Sequence, residues 1–296
     1  MDTQEIERLK KERNAVILAH YYTDAAVQAM ADYVGDSFYL AKIASKTDKD
    51  TIVFCGVRFM GESAKILNPG RLVLLPDETA DCPMAHMATA EQISRLRAEI
   101  PDLAVVCYIN SSAYLKSMVD VCVTSSNAVK IVRALPQRNI LFIPDENLGH
   151  FVAAQVPEKT FYYSGGYCPV HAVLVPSDVL SEKRAHPAAK VLAHPECRAE
   201  VLALSDFAGS TAEIIAYAEK SSDTEFILAT EPGVLYELSR RCGEKRFYPV
   251  TPVCLDMKKI TPEKVMNCLR GGGFEVKEES TFAAAKKPLE RMLELG

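Results

Sequence analysis

Apolar positions in this chain fall in short unbroken runs that end in polar or aromatic residues. The first of each set are Ala15-Val16-Ile17-Leu18-Ala19-His20, Leu103-Ala104-Val105-Val106-Cys107-Tyr108 and Lys190-Val191-Leu192-Ala193-His194, with ends 88 and then 86 residues apart. A small, hydroxyl-rich turn opens a helical pattern after each: Gly35-Asp36-Ser37, Thr124-Ser125-Ser126-Asn127 and Gly209-Ser210-Thr211. Second runs follow in Thr51-Ile52-Val53-Phe54, Ile140-Leu141-Phe142-Ile143 and Phe226-Ile227-Leu228. Beyond another helical stretch come the third: Leu72-Val73-Leu74-Leu75, Phe161-Tyr162-Tyr163 and Arg246-Phe247-Tyr248. Continuous runs bounded by turn residues predict strands buried on both faces. Their alternation with helices predicts parallel sheets joined by right-handed crossovers.

A few residues past each third run stands a cysteine: Cys82, Cys168 and Cys254, 86 residues apart at both steps. The repeated unit thus reads strand, helix, strand, helix, strand, cysteine loop, helix. Self-similarity at a long fixed period fixes the architecture before any local feature does. The expected fold class is α/β: three similar parallel-sheet αβα domains related by pseudo-threefold symmetry, spanning 1–101, 102–188 and 189–296. Gly271-Gly272-Gly273 closes the last clear helix, and the tail beyond it should pack back as a strand and a helix. Met1 to Arg13 is polar with a helical pattern. In parallel α/β sheets ligands bind at the carboxyl ends of the strands. The repeat puts His20, Tyr108, His194 and the three cysteine loops there, so the active site is expected at the central interface.

Composition narrows the class. With 296 residues the chain can bury a substantial core, and its net charge of −5, with no basic run longer than a pair such as Lys10-Lys11 or Arg240-Arg241, argues against a nucleic-acid surface. No apolar stretch has signal-peptide or membrane length, so a cytoplasmic protein is expected. In that compartment the nine cysteines are expected to be reduced. Cys55, Cys107, Cys122, Cys197, Cys242 and Cys268 lie in or beside apolar patterns and read as small buried hydrophobes. Cys82, Cys168 and Cys254 instead lie in loops rich in proline and glycine. No CxxC pair is present, which disfavours a structural zinc site. Three thiolates meeting at a pseudo-threefold axis would hold a metal or a cluster with one position open; three unrelated buried thiols is the plainer alternative. Ser37, Ser125, Ser126, Ser210 and Thr211 stand where helices begin, and there they serve either as N-caps or as part of an anion site.

Several stretches together resemble the quinolinate synthase family. They are Ala19-His20-Tyr21-Tyr22, Val34-Gly35-Asp36-Ser37, Cys107-Tyr108-Ile109-Asn110, Thr124-Ser125-Ser126-Asn127, His194-Pro195-Glu196-Cys197 and Cys254-Leu255-Asp256-Met257-Lys258-Lys259-Ile260. The resemblance runs from about His20 to Ile260 and touches every repeat. It implies one [4Fe-4S] cluster held by Cys82, Cys168 and Cys254, with the fourth iron free to act as a Lewis acid. It also implies a condensation of iminoaspartate with dihydroxyacetone phosphate that gives quinolinate for NAD synthesis. Aspartate oxidase, the source of the unstable iminoaspartate, becomes a candidate partner.

On this reading Glu196 and Tyr22 are the acid/base pair. His20, His171 and His194 are hydrogen-bond donors to substrate carboxylate or phosphate, and Tyr108 and Asn110 orient a carboxylate from one strand end. Ser37 belongs to the same anion-binding turns. The resemblance assigns Ser125 to a substrate carboxylate and Ser210 and Thr211 to phosphate. Three readings from other classes compete. They are an iron–sulfur reductase of the same plan (such as hydroxymethylbutenyl diphosphate reductase), a non-catalytic metal or redox sensor, and a cluster-free sugar-phosphate binder.

Overall fold

A computed structural model describes residues 3–296. The apolar runs form strands because the residues that alternate between the two faces of each strand are buried on both. In the third unit Leu192, Phe226 and Leu228 enter one buried cluster, while Val191, Ala193, Ile227 and Ala229 enter another on the opposite face. The first sheet contains β1 (Ala15–His20), β2 (Tyr33–Gly35), β3 (Thr51–Cys55) and β4 (Leu72–Leu75). The second contains β5 (Leu103–Tyr108), β6 (Val121–Val123), β7 (Asn139–Ile143) and β8 (Thr160–Tyr163). The third contains β9 (Lys190–Ala193), β10 (Phe207–Ala208), β11 (Glu225–Ala229) and β12 (Arg246–Pro249).

The three sheets have one topology, with spatial orders β2-β1-β3-β4, β6-β5-β7-β8 and β10-β9-β11-β12, all parallel within these sets. Register repeats as well: Ala19 faces Cys55, Cys107 faces Ile143, and Ala193 faces Ala229. The fold is therefore the expected α/β arrangement of three similar parallel-sheet units. Each unit also has a fourth strand that the apolar runs do not reveal, the short edge strands β2, β6 and β10, each preceded by a four-residue helix at Ala25–Gln28, Ala113–Lys116 or Ala199–Leu202. At two or three residues these strands are too short to show a pattern.

An aspartate lengthens each of them. The Ile17, Val105 and Val191 N–H groups donate to the carboxylates of Asp32, Asp120 and Asp206 at 2.8, 2.7 and 2.8 Å. The backbone N–H of each aspartate donates back to the carbonyl of the same strand residue. A side chain thus continues the ladder where the edge strand has not yet begun, so these three strand N–H groups keep a partner. Lys10, Arg97 and Lys190 pair with these carboxylates in turn.

The expected N-terminal helix runs Thr3–Glu12; Met1 and Asp2, which the same reading included, lie outside the described residues. The tail forms the expected strand and helix. Strand β13 (Phe274–Glu275) pairs antiparallel with β4 and so covers the open edge of the first sheet. Helix Phe282–Leu295 packs on helices Arg58–Leu67, Ala113–Lys116 and Ala128–Ala134, lacing the first two units together. Among the described residues no helix is long and apolar enough to cross a membrane.

Replacing Asp120 with Ala should leave the Val105 N–H without its acceptor and destabilise the chain by about 1–3 kcal/mol. Asp32→Ala and Asp206→Ala should cost similar amounts. Chemical denaturation of the three variants checks this, and no loss in any of them would deny the carboxylates a structural role.

Candidate active site

The repeat brings equivalent residues to one place. His20, Tyr108 and His194 end or directly follow the central strands β1, β5 and β9; Tyr22, Asn110 and Glu196 stand two residues further on. Ser37, Ser125 and Thr211 come from the helix-opening turns, and Cys82, Cys168 and Cys254 from the loops after β4, β8 and β12. All of these, with His171, line one cavity of about 350 Å³ between the three units.

Ser210 is the exception among the expected residues. Its hydroxyl accepts the Glu213 N–H at 3.3 Å while its own N–H donates to the Glu213 carboxylate at 2.8 Å, a reciprocal cap on helix Thr211–Lys220. By the repeat, Ser210 corresponds to Asp36, which caps helix Ser37–Lys46. The cavity position is the next residue, Thr211. Ser126 hydrogen-bonds Thr124 at 2.9 Å.

Glu196 sits at the centre of the polar wall and is 3% exposed. Its carboxylate lies 2.8 Å from His171 Nδ1 and 3.3 Å from His194 Nδ1. Burial pushes the carboxyl up, but the two imidazoles outweigh it and hold Glu196 well below the usual carboxylate range. Burial pushes His194 below its ordinary value despite the pull of Glu196. His194 Nδ1 also accepts the Glu196 backbone N–H at 3.3 Å. Of the two ring nitrogens, His171 Nδ1 is the nearer to the carboxylate. His20 makes the same turn, its Nδ1 accepting the Tyr22 N–H at 3.1 Å, and burial pushes it down to about 3.

A chain of hydroxyls runs from this centre to the first unit. His171 Nε2 lies 3.4 Å from Thr230 Oγ1, which is 3.2 Å from the Tyr22 hydroxyl; Tyr22 also meets Thr211 Oγ1 at 2.8 Å. Burial, then the Glu196 charge, pushes both Tyr22 and Tyr108 well above the usual phenol range, so both remain donors. The Asn110 Oδ1 is buried and has no protein partner.

The cysteines divide as the sequence predicts. Cys82, Cys168 and Cys254 are half-buried at the cavity, and the other six are buried. Two carboxylates that the sequence reading did not single out hold the cysteine loops. Asp145 accepts the Cys168 N–H at 3.0 Å and Glu231 accepts the Cys254 N–H at 3.1 Å, each from 23 residues upstream. Both are fully buried, and burial pushes both up, Asp145 strongly. Their common position after the second strand of the unit, and the equal distance to the cysteine, was the signal available. The first unit lacks this acid, and Cys82 N–H is taken instead by the half-exposed Asp81 at 2.8 Å.

Lys258 joins the third unit to the first, donating to the Tyr22 carbonyl at 2.8 Å and lying 3.3 Å from both Glu231 and Asp24. Gly233 makes the same junction by its lack of a side chain, since a Cβ there would stand 2.6 Å from the Tyr21 carbonyl oxygen and 2.7 Å from Tyr22 Cα. The family model described as Quinolinate synthetase A protein matches residues 4–294. The chain belongs to the quinolinate synthase family. Its relatives include the quinolinate synthase of Caldicellulosiruptor saccharolyticus, 50% identical over 99% of this chain and 98% of the relative. Those of Fusobacterium nucleatum, 49% identical over 98% of each chain, and of Aquifex aeolicus, 47% identical over 99% of this chain and 94% of the relative, are also similar.

In this quinolinate synthase family member the Tyr22 turn therefore rests directly on backbone of another unit. Gly233→Ala should force that backbone apart and destabilise the chain by about 1–3 kcal/mol. Hydrogen exchange at Thr23 and Gln28, whose bonds anchor the same turn, should accelerate beyond what the global loss explains. Unchanged stability with unchanged exchange would mean that the junction yields freely.

Proposed function

We propose that this chain is an active quinolinate synthase that condenses iminoaspartate with dihydroxyacetone phosphate in NAD synthesis, using one [4Fe-4S] cluster held by Cys82, Cys168 and Cys254. The observation that carries this reading is the convergence of three equivalent cysteine loops on the cavity that also contains Glu196 and Tyr22. The donor set fits the cluster. Three thiols and no fourth face the cavity, and no lysine or arginine is among the residues lining it. A wall of thiols and carboxylates calls for a cationic centre, and the bound cluster would supply an open iron able to act as a Lewis acid toward substrate oxygen or nitrogen. Free thiols throughout the chain suit the reducing cytoplasm.

The proposed reaction balances without an electron donor: iminoaspartic acid and dihydroxyacetone phosphate give quinolinic acid, phosphoric acid and two molecules of water. A reductase of the same plan would need an outside reductant. The protein must therefore bind two anions, orient them, and move protons. Glu196, ionised and buried, is the base positioned to take a proton from carbon or nitrogen, with His171 Nδ1 2.8 Å from its carboxylate. Tyr22 and Tyr108, held as phenols, donate to a leaving or enolising oxygen. The orphaned Asn110 Oδ1 is an acceptor for a substrate N–H or O–H.

Ser37, Ser125 and Thr211 present hydroxyls beside helix-opening turns and would hold carboxylate and phosphate. Ser210, whose hydroxyl oxygen accepts the cap bond, keeps its O–H to donate beside Thr211, so capping and phosphate binding can share one turn. His20 and His194, kept neutral by burial, complete the binding wall without adding charge. The dependence on aspartate oxidase is a matter of supply, because iminoaspartate hydrolyses in water.

Anaerobically purified protein should contain about four iron and four sulfide per chain. Cys82→Ala, Cys168→Ala and Cys254→Ala should each lose the cluster, and Cys55→Ala should retain it; equal iron in all four variants would remove the ligand assignment. Glu196→Gln should keep the iron content and lose quinolinate formation by about 10²–10⁴-fold. A fully active Glu196→Gln enzyme would place the base elsewhere.

A further inference from the structure

The three thiols face one cavity, yet the one group among the described residues whose ligand atoms all lie within 4.8 Å of one another is different: Cys168, His171 and Glu196. His171 Nδ1 is 3.2 Å from Cys168 Sγ and 2.8 Å from Glu196 Oε2. We propose that the cluster-free protein holds a single divalent cation of the zinc class on Cys168 Sγ, His171 Nδ1 and Glu196 Oε2.

Ligand atoms around a tetrahedral zinc ion stand about 3.3–3.7 Å apart, given metal–ligand bonds of about 2.0–2.3 Å. The two contacts of His171 are hydrogen-bond spacings of 3.2 and 2.8 Å and the third separation is within 4.8 Å, so the three ligand atoms can close around one ion by side-chain shifts. A thiolate and a carboxylate cancel the double charge, which matters in a wall that contains no lysine or arginine. The imidazole is already oriented for ligation, because its other nitrogen, Nε2, is directed at Thr230 Oγ1 at 3.4 Å. Such outer hydrogen bonds fix the ring and its tautomer in metal sites.

Magnesium and calcium prefer six or more oxygens, so the mixed sulfur, nitrogen and oxygen set selects zinc or a similar transition ion. The cavity leaves the fourth position to water. Cys82 and Cys254 take no part, which separates this site from any three-thiol centre. Its consequence for turnover, occupation of both the Cys168 thiolate and the Glu196 base, rests on the function proposed above; the binding itself does not.

The test uses the full-length chain, stripped of metal by a chelator, shown to be folded by circular dichroism, and titrated with Zn²⁺ alone against a chromophoric competitor without oxygen. One ion per chain is expected, with Cys82→Ser and Cys254→Ser binding like the parent and Cys168→Ser and His171→Gln weakened by more than about tenfold. Cobalt in place of zinc reads the same site without any substitution, and a charge-transfer band of one thiolate is expected. No stoichiometric ion in the folded parent chain would overturn the proposal. So would a three-thiolate cobalt spectrum, or Cys82→Ser losing the ion while His171→Gln keeps it.

Discussion

A buried carboxylate held between two imidazoles is the constraint around which this molecule is arranged. Glu196 is ionised at the meeting point of three units, and lone ionised carboxylates in an apolar interior are prohibitively costly. Here the cost is met by dipoles and shared protons from elsewhere. His171 comes from the second unit, Thr230 behind it from the third, and Tyr22 at the far end of the hydroxyl chain from the first. Each unit is therefore needed to satisfy one group in the centre. The Lys258 and Gly233 contacts then hold the Tyr22 turn at the distance this chain requires.

Threefold repetition explains how such a centre can be built from short strands. Three copies of one unit deliver three strand ends, three helix starts and three loops to a common axis. Where the copies keep the same residue, the repeat keeps its position: Asp32, Asp120 and Asp206 complete the edge ladders, and the cysteines line the cavity. Where the copies diverge, the result is chemical. The position two residues past His20, Tyr108 and His194 holds tyrosine, asparagine and glutamate in turn, which puts one phenol, one amide and one carboxylate around a single space. Identical residues there would have produced three like charges or none.

The fold was readable because strands buried on both faces leave unbroken apolar runs, and a repeat gives each run two controls. β1, β5 and β9 end within a residue of the apolar runs that announce them. The edge strands β2, β6 and β10 were not readable as strands, since hydrogen bonding by an aspartate side chain does much of what longer apolar runs do elsewhere. The aspartates themselves recur at the spacing of the repeat, but an isolated Asp reads first as a solvated charge. Asp145 and Glu231 escaped for the same reason, although their distance to Cys168 and Cys254 is identical. Ser210 was grouped with the anion turns because a hydroxyl that starts a helix reads the same in sequence whether it caps, binds or does both; the structure adds that it caps its helix as Asp36 does.

The same comparison shows that the three cysteine arms are not alike. Cys168 and Cys254 hang from fully buried carboxylates, and Cys168 also touches His171 at 3.2 Å. Cys82 hangs from Asp81, a half-exposed residue that also pairs with the exposed His86 at 2.7 Å. A hydrogen bond that competes with water is weaker than one inside the protein. The Cys82 arm is thus the one most easily displaced, and it lies on the unit that also carries Tyr22. Departure from symmetry in the acids behind the loops gives the centre one yielding side and two fixed ones. The asymmetry of the cavity is thus carried by side chains on a backbone built in three similar parts.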